Sequence, residues 1–352
     1  MRHWKQWLAL PAIGALLAAC SVPVPEIHPE PLPEKAPPIL QKVQVKRIET
    51  ALGDVLEKAG TTVSGLGQRV DGAALTMRKA ELSLYAALPN DTSITTFQTA
   101  FQDEAIMTAS TTWPRSFIAV TVPEGQEAPM LYLLTQRDVR SDYKMTAYAT
   151  ILASAVLPKT ADSSLGSEVL AADTTGLLMT PAAALDTYAK AKDNPAGEQS
   201  ALITYADGSA SDPVRDQWIV MVANMAKSVA SWSGTATPTS SVVDGSVTAI
   251  RTADGGALVF GQISSMVDVE FTIPDGGQAE VPILAGLGQS ASVGGSFQLE
   301  TLQTVVLVVP AEGSDGAVQV MAVAGTPIAA TVYETPADEE TPTDEETPTD
   351  EE

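Results

Sequence analysis

Residues 70–80 read VDGAALTMRKA and residues 243–253 read VDGSVTAIRTA, five identities in eleven positions at an offset of 173. Whether this phrase is a repeat decides the architecture. At the same offset, residues 42–60 (KVQVKRIETALGDVLEKAG) fall on residues 215–233 (RDQWIVMVANMAKSVASWS) without a gap. The first of these carries Val45, Ile48, Leu52, Val55, Leu56 and Ala59 at helical spacing, and Gly60 suits the position just past a helix end. In the second, Trp218, Met221, Met225 and Val229 take the places of Val45, Ile48, Leu52 and Leu56. Asp212 stands ahead of them as an N-cap, with Pro213 in the first turn.

Downstream, LYLLT from Leu131 falls near VVLVV from Val305 at an offset of 174, and YKMTAYAT from Tyr143 falls on VQVMAVAG from Val318 at 175. Each pair reads as a strand, a charged or Gly-containing connection and a second strand, hence a hairpin. Three collinear matches predict a tandem duplication in which each half runs helix, strand, further strands, hairpin. The expected fold class is α+β, with two antiparallel rolls: a first domain over 40–165, a linker over 166–179 and a second domain over 180–333. Strands in the second half are SVTAIRT, ALVFGQI, VDVEFTI, QTVVLVV and AVQVMAV, with Asp254-Gly255-Gly256 turning between the first two. Pattern leaves residues 75–88 open between helix and strand, and the repeat assigns their first part to a strand. Thr180 and Pro181 open a further helix with a stripe of Ala184, Leu185, Tyr188 and Ala189, closed by Asn194-Pro195.

The chain begins MRHWKQWLALPAIGALLAACS. Arg2 and Lys5 precede an apolar run from Trp7 to Ala19 that is shorter than the roughly 20 residues a spanning helix needs. This predicts a secretory signal peptide over residues 1–19. Leu17-Ala18-Ala19-Cys20 resembles a bacterial lipobox, with small residues at the cut and a thiol to accept the lipid. Cys20 is the only cysteine. Ser21 to Pro38 holds seven prolines in 18 residues, so residues 20–39 are expected to be an extended spacer. Residues 334–352 repeat Glu-Glu-Thr-Pro-Thr-Asp and hold ten acids and no base, an expected disordered tail.

The chain carries a net charge of −23. Without the signal peptide and the tail acids, −15 remains on the rest, which disfavours nucleic acid and anionic lipid surfaces as partners. Both histidines, His3 and His28, precede the folded region, as does Cys20. That region therefore lacks a Ser-His-Asp triad, a Cys-His pair and His or Cys ligands for a metal. No catalytic residue, metal site or cofactor is expected.

TTWPRSFIAV, LYLLTQRDVRSDYKMTAYATIL and TPAAALDTYA together resemble an uncharacterised family of actinobacterial lipoproteins over roughly Val43 to Ala330. The order of elements in each half also resembles the cystatin-like α+β roll of the nuclear-transport-factor-2 superfamily. That resemblance implies a curved sheet around a helix, with room for a conical pocket. The absence of a His-Asp dyad departs from the enzymes of that superfamily.

Other motifs lack the context their chemistry needs. Ser141-Asp142-Tyr143-Lys144 sits in a hairpin connection rather than opening a helix. Gly286 to Ala291 matches a dinucleotide fingerprint but SVGGSF is no helix. DGSASD and DGGQAE lack the spacing of a calcium loop. Candidate recognition residues are Trp113, Arg115, Tyr132, Tyr143, Trp218 and Trp232. An exposed Trp113 beside Arg115 would be a recognition feature, and a buried one structural. The expectation is a non-enzymatic, lipid-anchored module on the extracytoplasmic face of the cell membrane, binding an envelope protein or polymer. Two alternatives stay open: a small-ligand carrier with a pocket in one or both rolls, and an enzyme using carboxylates or lysine. Oligomeric state is left open.

Overall fold

The computed structural model describes residues 35–333, apart from residues 91, 126, 216–232 and 274–276. The signal-peptide, lipobox, most of the spacer and the tail expectations therefore lie outside the described residues, as do Trp218 and Trp232. The described residues from Ala36 to Tyr333 form one compact unit.

The two copies of the Val-Asp-Gly phrase adopt different structures. In the first, Asp71 caps a helix by accepting from Gly72 N at 2.9 Å, and α2 (Gly72–Ala87) follows α1 (Lys42–Ala59). In the second, residues 243–246 turn and lead into a strand, Thr248–Arg251. The strand reading of residues 75–88 is thus corrected to a helix. The residues that differ explain it. Ala, Leu, Met and Lys in the first copy favour helix, whereas Val247, Thr248, Ile250 and Thr252 in the second are β-branched.

The strands are β1 (Thr108–Ala109), β2 (Arg115–Val120), β3 (Met130–Gln136), β4 (Lys144–Ile151) and β5 (Ser167–Leu170). After α3 (Pro181–Asp193) come β6 (Ile203–Tyr205), β7 (Ser233–Val242), β8 (Thr248–Arg251) and β9 (Ala257–Thr272). β10 (Ala279–Glu280), α4 (Pro282–Gly286), β11 (Ser292–Val293), β12 (Phe297–Val309) and β13 (Val318–Val332) complete the order. β5 lies inside the expected linker. ALVFGQI and VDVEFTI, expected as two strands, are one 16-residue strand, β9. Both expected hairpins, β3–β4 and β12–β13, are present.

Two separate rolls are not what these strands build. Eleven of them form one sheet in the order β1-β5-β8-β9-β12-β13-β4-β3-β2, with β6 on β13 and β7 on β9. β13 joins β4 at Ala322–Ile151 and Val323–Thr150, so strands from both halves share one ladder. The sheet nearly closes on itself. β1 pairs with β5, and Ile106, just before β1, exchanges hydrogen bonds of 2.9 and 3.0 Å with Ile118 of β2.

Side-chain alternation sorts the core into an inside and an outside. Ile118, Leu131, Leu133, Ile250, Phe260, Val306 and Met321 converge in one cluster that fills the interior of the curled sheet. A ring of this strand number has an interior about wide enough for side chains alone. On the outer faces, α1 and α2 pack in one cluster with Leu52, Met77, Phe117, Tyr132 and Tyr148, α2 lying against β4 and β13. α3 lies against β7, β9 and β12 in a second cluster with Leu185, Tyr188, Ile263 and Val305, and α4 packs on α2. α3 has the expected caps, with Thr180 Oγ1 accepting from Ala183 N at 3.2 Å and Pro181 at its start. Its buried residues include the expected Ala184, Leu185, Tyr188 and Ala189. It lies so close to β9 that a Cβ at Gly261 would fall 2.4 Å from Leu185 Cδ2.

Candidate recognition tip and buried polar clusters

One end of the curled sheet is built from the start of β2, the β3–β4 connection and the turn before α2. Arg115 opens β2 opposite Gln136, the last residue of β3. Trp113, just upstream, is 39 % exposed. Its Nε1 donates to Gln136 Oε1 at 3.2 Å, and Gln136 Nε2 donates to Ser141 O at 2.8 Å. The Arg115 guanidinium carbon stacks 4.0 Å from the Trp113 ring centroid. Such a cation–π contact contributes about 0.5–1 kcal/mol at an exposed site. Its strength matters less than its effect, which is to hold a planar aromatic–guanidinium platform facing solvent.

The connection that frames the platform is pinned by Asp138. Its carboxylate accepts from Arg140 N at 2.8 Å and from Ser141 Oγ at 2.6 Å. These bonds hold the Asp138 carboxyl below the usual range. Arg69 pairs with Asp142 and Arg137 with Asp71, both at 3.4 Å, and Lys144 Nζ donates to Gly67 O at 2.7 Å. Tyr143 is buried against Phe117, and burial pushes its hydroxyl up to about 12, with the Arg115 charge opposing. The Tyr143 hydroxyl and Arg115 Nε are both buried without a hydrogen-bond partner. The tip thus gathers Arg69, Arg115, Arg137, Arg140 and Lys144 against Asp71, Asp138 and Asp142 in a strongly acidic chain.

Of the candidate recognition residues, Trp113, Arg115 and Tyr143 meet here, with Tyr143 beneath the surface. Tyr132 does not join them. It is fully buried, donates to Gln98 O at 3.0 Å and accepts from Gln98 N. Its hydroxyl is pushed up by burial, and its role is core packing against Phe97 and Phe101.

Two buried polar groupings escaped sequence reasoning. Glu49 lies on the buried face of α1, 3 % exposed, with Lys46 Nζ 3.9 Å away. Burial raises its carboxyl from 4.5 to about 7, with Lys46 opposing and Asp103 adding to the rise. The same helix borders a cleft of about 440 Å³ lined by Leu40, Val45, Asp103, Glu104 and Met107 among others. The second grouping lies under α3. Lys192 Nζ donates to Ser265 Oγ at 2.6 Å, Ser265 shares a 2.7 Å hydrogen bond with Ser240 Oγ, and Ser240 Oγ donates to Asp193 Oδ1 at 2.5 Å. Nearby, the Tyr188 hydroxyl donates to Asp212, and Gln303 Nε2 donates to both. Burial lowers the Lys192 ammonium. With Lys192 and Ser265 enclosed, this chain of hydroxyls ties α3 to β7 and β9. The missed signal was positional. Glu49 sits between Val45 and Leu52 on an apolar stripe, and Lys192 sits one turn after Tyr188 on another. A charge on a buried stripe marks a group whose partner must come from elsewhere in the fold.

A protein-family model described as a domain of unknown function (DUF8094) matches residues 58–331. No curated protein and no solved structure matches the chain.

Proposed function

We propose that this chain, which belongs to the family described as a domain of unknown function (DUF8094), is a lipid-anchored, extracytoplasmic binding module whose recognition surface is the Trp113–Arg115 tip. The observation that carries the reading is the platform itself. Trp113 is held open to solvent by a stacked guanidinium and a glutamine hydrogen bond, rather than folded into the core. Aromatic and arginine side chains fixed in one geometry lose little freedom on binding, and such residues dominate binding surfaces. The packed interior of the curled sheet favours a module over a carrier with an internal pocket. The lipobox-like Leu17 to Cys20 and the proline-rich segment after it support the reading of a domain carried on a tether.

Two experiments test the two parts. Cys20→Ala is expected to move the protein from the membrane fraction to the soluble one, and retention on the membrane overturns the anchor. A photo-crosslinking amino acid at position 113 in cells is expected to give discrete adducts that one at Lys79, on the exposed side of α2, does not. Equal adducts from both positions overturn the tip as the binding surface.

A further inference from the structure

The tip is chemically at odds with the rest of the chain. Five cations meet three acids there, while the chain as a whole stands at −23. Among the described residues, three of those cations lack an anion. Arg140 has no ion pair, Lys144 has only the Gly67 carbonyl and Arg115 has only the Trp113 ring. Beneath them, Arg115 Nε and the Tyr143 hydroxyl are buried donors with nothing to donate to. Buried donors without acceptors are unfavourable and rare in native proteins. The unpaired cations around the exposed Trp113 ring describe a surface suited to an acceptor-rich, negatively charged partner.

The chain supplies one. Residues 334–352 hold ten carboxylates and no cation, spaced by Thr and Pro that add no apolar bulk. They begin directly after Tyr333, which follows the last strand, β13. Nineteen residues can reach about 60 Å, more than the width of a domain of this size. A covalently tethered ligand acts at an effective concentration in about the millimolar range, so several weak carboxylate–guanidinium contacts suffice to hold it.

We infer that the Trp113–Arg115–Arg140 tip is a receptor for a carboxylate-rich chain, and that its resident occupant is the acidic C-terminal segment of the same molecule. The inference rests on the tip being the recognition surface. It adds that any external partner must carry carboxylates of its own and displace this segment. Arg115 and Arg140 take carboxylates, Trp113 offers its edge and free face to the intervening Thr-Pro units, and Lys144 lies at the rim.

Carbodiimide treatment of the purified full-length protein tests this, because it joins a lysine to a carboxylate only when they touch. The expected result is an isopeptide bond between Lys144 and residues of the 334–352 segment, identified by mass spectrometry. Its yield should exceed that for the exposed Lys79 and Lys159. Salt at about 1 M, where the screening length falls to about 3 Å, is expected to abolish it. The Arg115→Ala/Arg140→Ala double variant, checked for an unchanged thermal melt, should lower the yield about tenfold by removing the tethered segment's contacts. Equal yields at Lys144, Lys79 and Lys159, or a Lys144 product unchanged in the double variant, overturn the inference. If the segment leaves Lys144 untouched while added polygalacturonate protects it, the resident occupant is wrong. The tip then still serves as a surface for external partners, so the proposed function survives. Loss of adducts at position 113 in cells, with the Lys144 product intact, separates the opposite failure.

Discussion

The two Val-Asp-Gly phrases share one backbone feature, a glycine at positive φ, and then part. Gly72 and Gly245 both take a positive φ, 57° and 69°, which Gly adopts without the penalty a Cβ imposes. Beyond the turn, Met77 and Ile250 hold equivalent places and both are buried. Met77 lies on a helix outside the sheet, whereas Ile250 points into its filled interior. The matched arginines differ most. Arg78 is buried, pairs with Glu81 at 3.2 Å and donates to Gly60 O and Thr95 O at 2.9 and 2.8 Å. Arg251 pairs with Glu168 at 3.1 Å where both remain accessible. Identity in a short phrase reports a shared glycine conformation, and what surrounds it sets the energetics of each residue.

The largest expected effect is at the arginines. Arg78→Ala leaves Glu81 buried without its cation and two carbonyls without their donor. A loss of about 3–5 kcal/mol in urea unfolding is expected. Arg251→Ala is expected to lose under about 1 kcal/mol, as exposed pairs do. Similar losses at the two sites would break the comparison. Next come the matched apolar residues. Met77→Ala and Ile250→Ala should each lose about 2–5 kcal/mol, despite sitting in different secondary structure. A near-neutral Ile250→Ala would mean that the interior is not packed as described.

The pH dependence comes third. A carboxyl raised to about 7 by folding favours the native state while it is protonated. The Glu49 contribution is fully present below about 4.5 and is lost as pH rises through about 7, amounting to at most about 3 kcal/mol. Glu49→Gln is expected to flatten this part of the stability–pH curve and to stabilise the protein above pH 7. An unchanged curve would show that Glu49 is not the titrating group. The smallest effect is at the turn. Asp71→Ala removes the cap of α2 and should lose about 1 kcal/mol, while Asp244→Ala, with a strand to follow, should be close to neutral. Thermal melts of the two variants compare them directly.

Much of the local structure was legible in the sequence. The α3 helix, its Thr180 and Pro181 start and its apolar stripe follow from the order of residues, as do both hairpins and the turn at Asp254-Gly255-Gly256. Asp212 also caps as expected, accepting from Arg215 N at 2.8 Å. The duplication was not a safe inference from its matches. Strand–turn–strand vocabulary recurs wherever hairpins do, and α2 overrode the strand that the repeat implied. At the tip, the Trp-Pro-Arg segment drew attention in the sequence, but Arg69, Arg140 and Lys144 joined it only through the fold.

The sequence by itself determined the turns, caps, hairpins and composition of this protein, including the absence of histidine after His28 and the acidic residues 334–352. Those features arise from sterics and hydrogen bonds among residues a few positions apart, so they leave periodic or positional marks. Only the tertiary structure decided that β13 meets β4, that Ile106 meets Ile118 to nearly close one sheet, and that Glu49 and Lys192 are buried. The same long-range contacts gathered five cations around Trp113. Pairings between distant segments depend on which apolar faces can be covered together, and no local pattern records that.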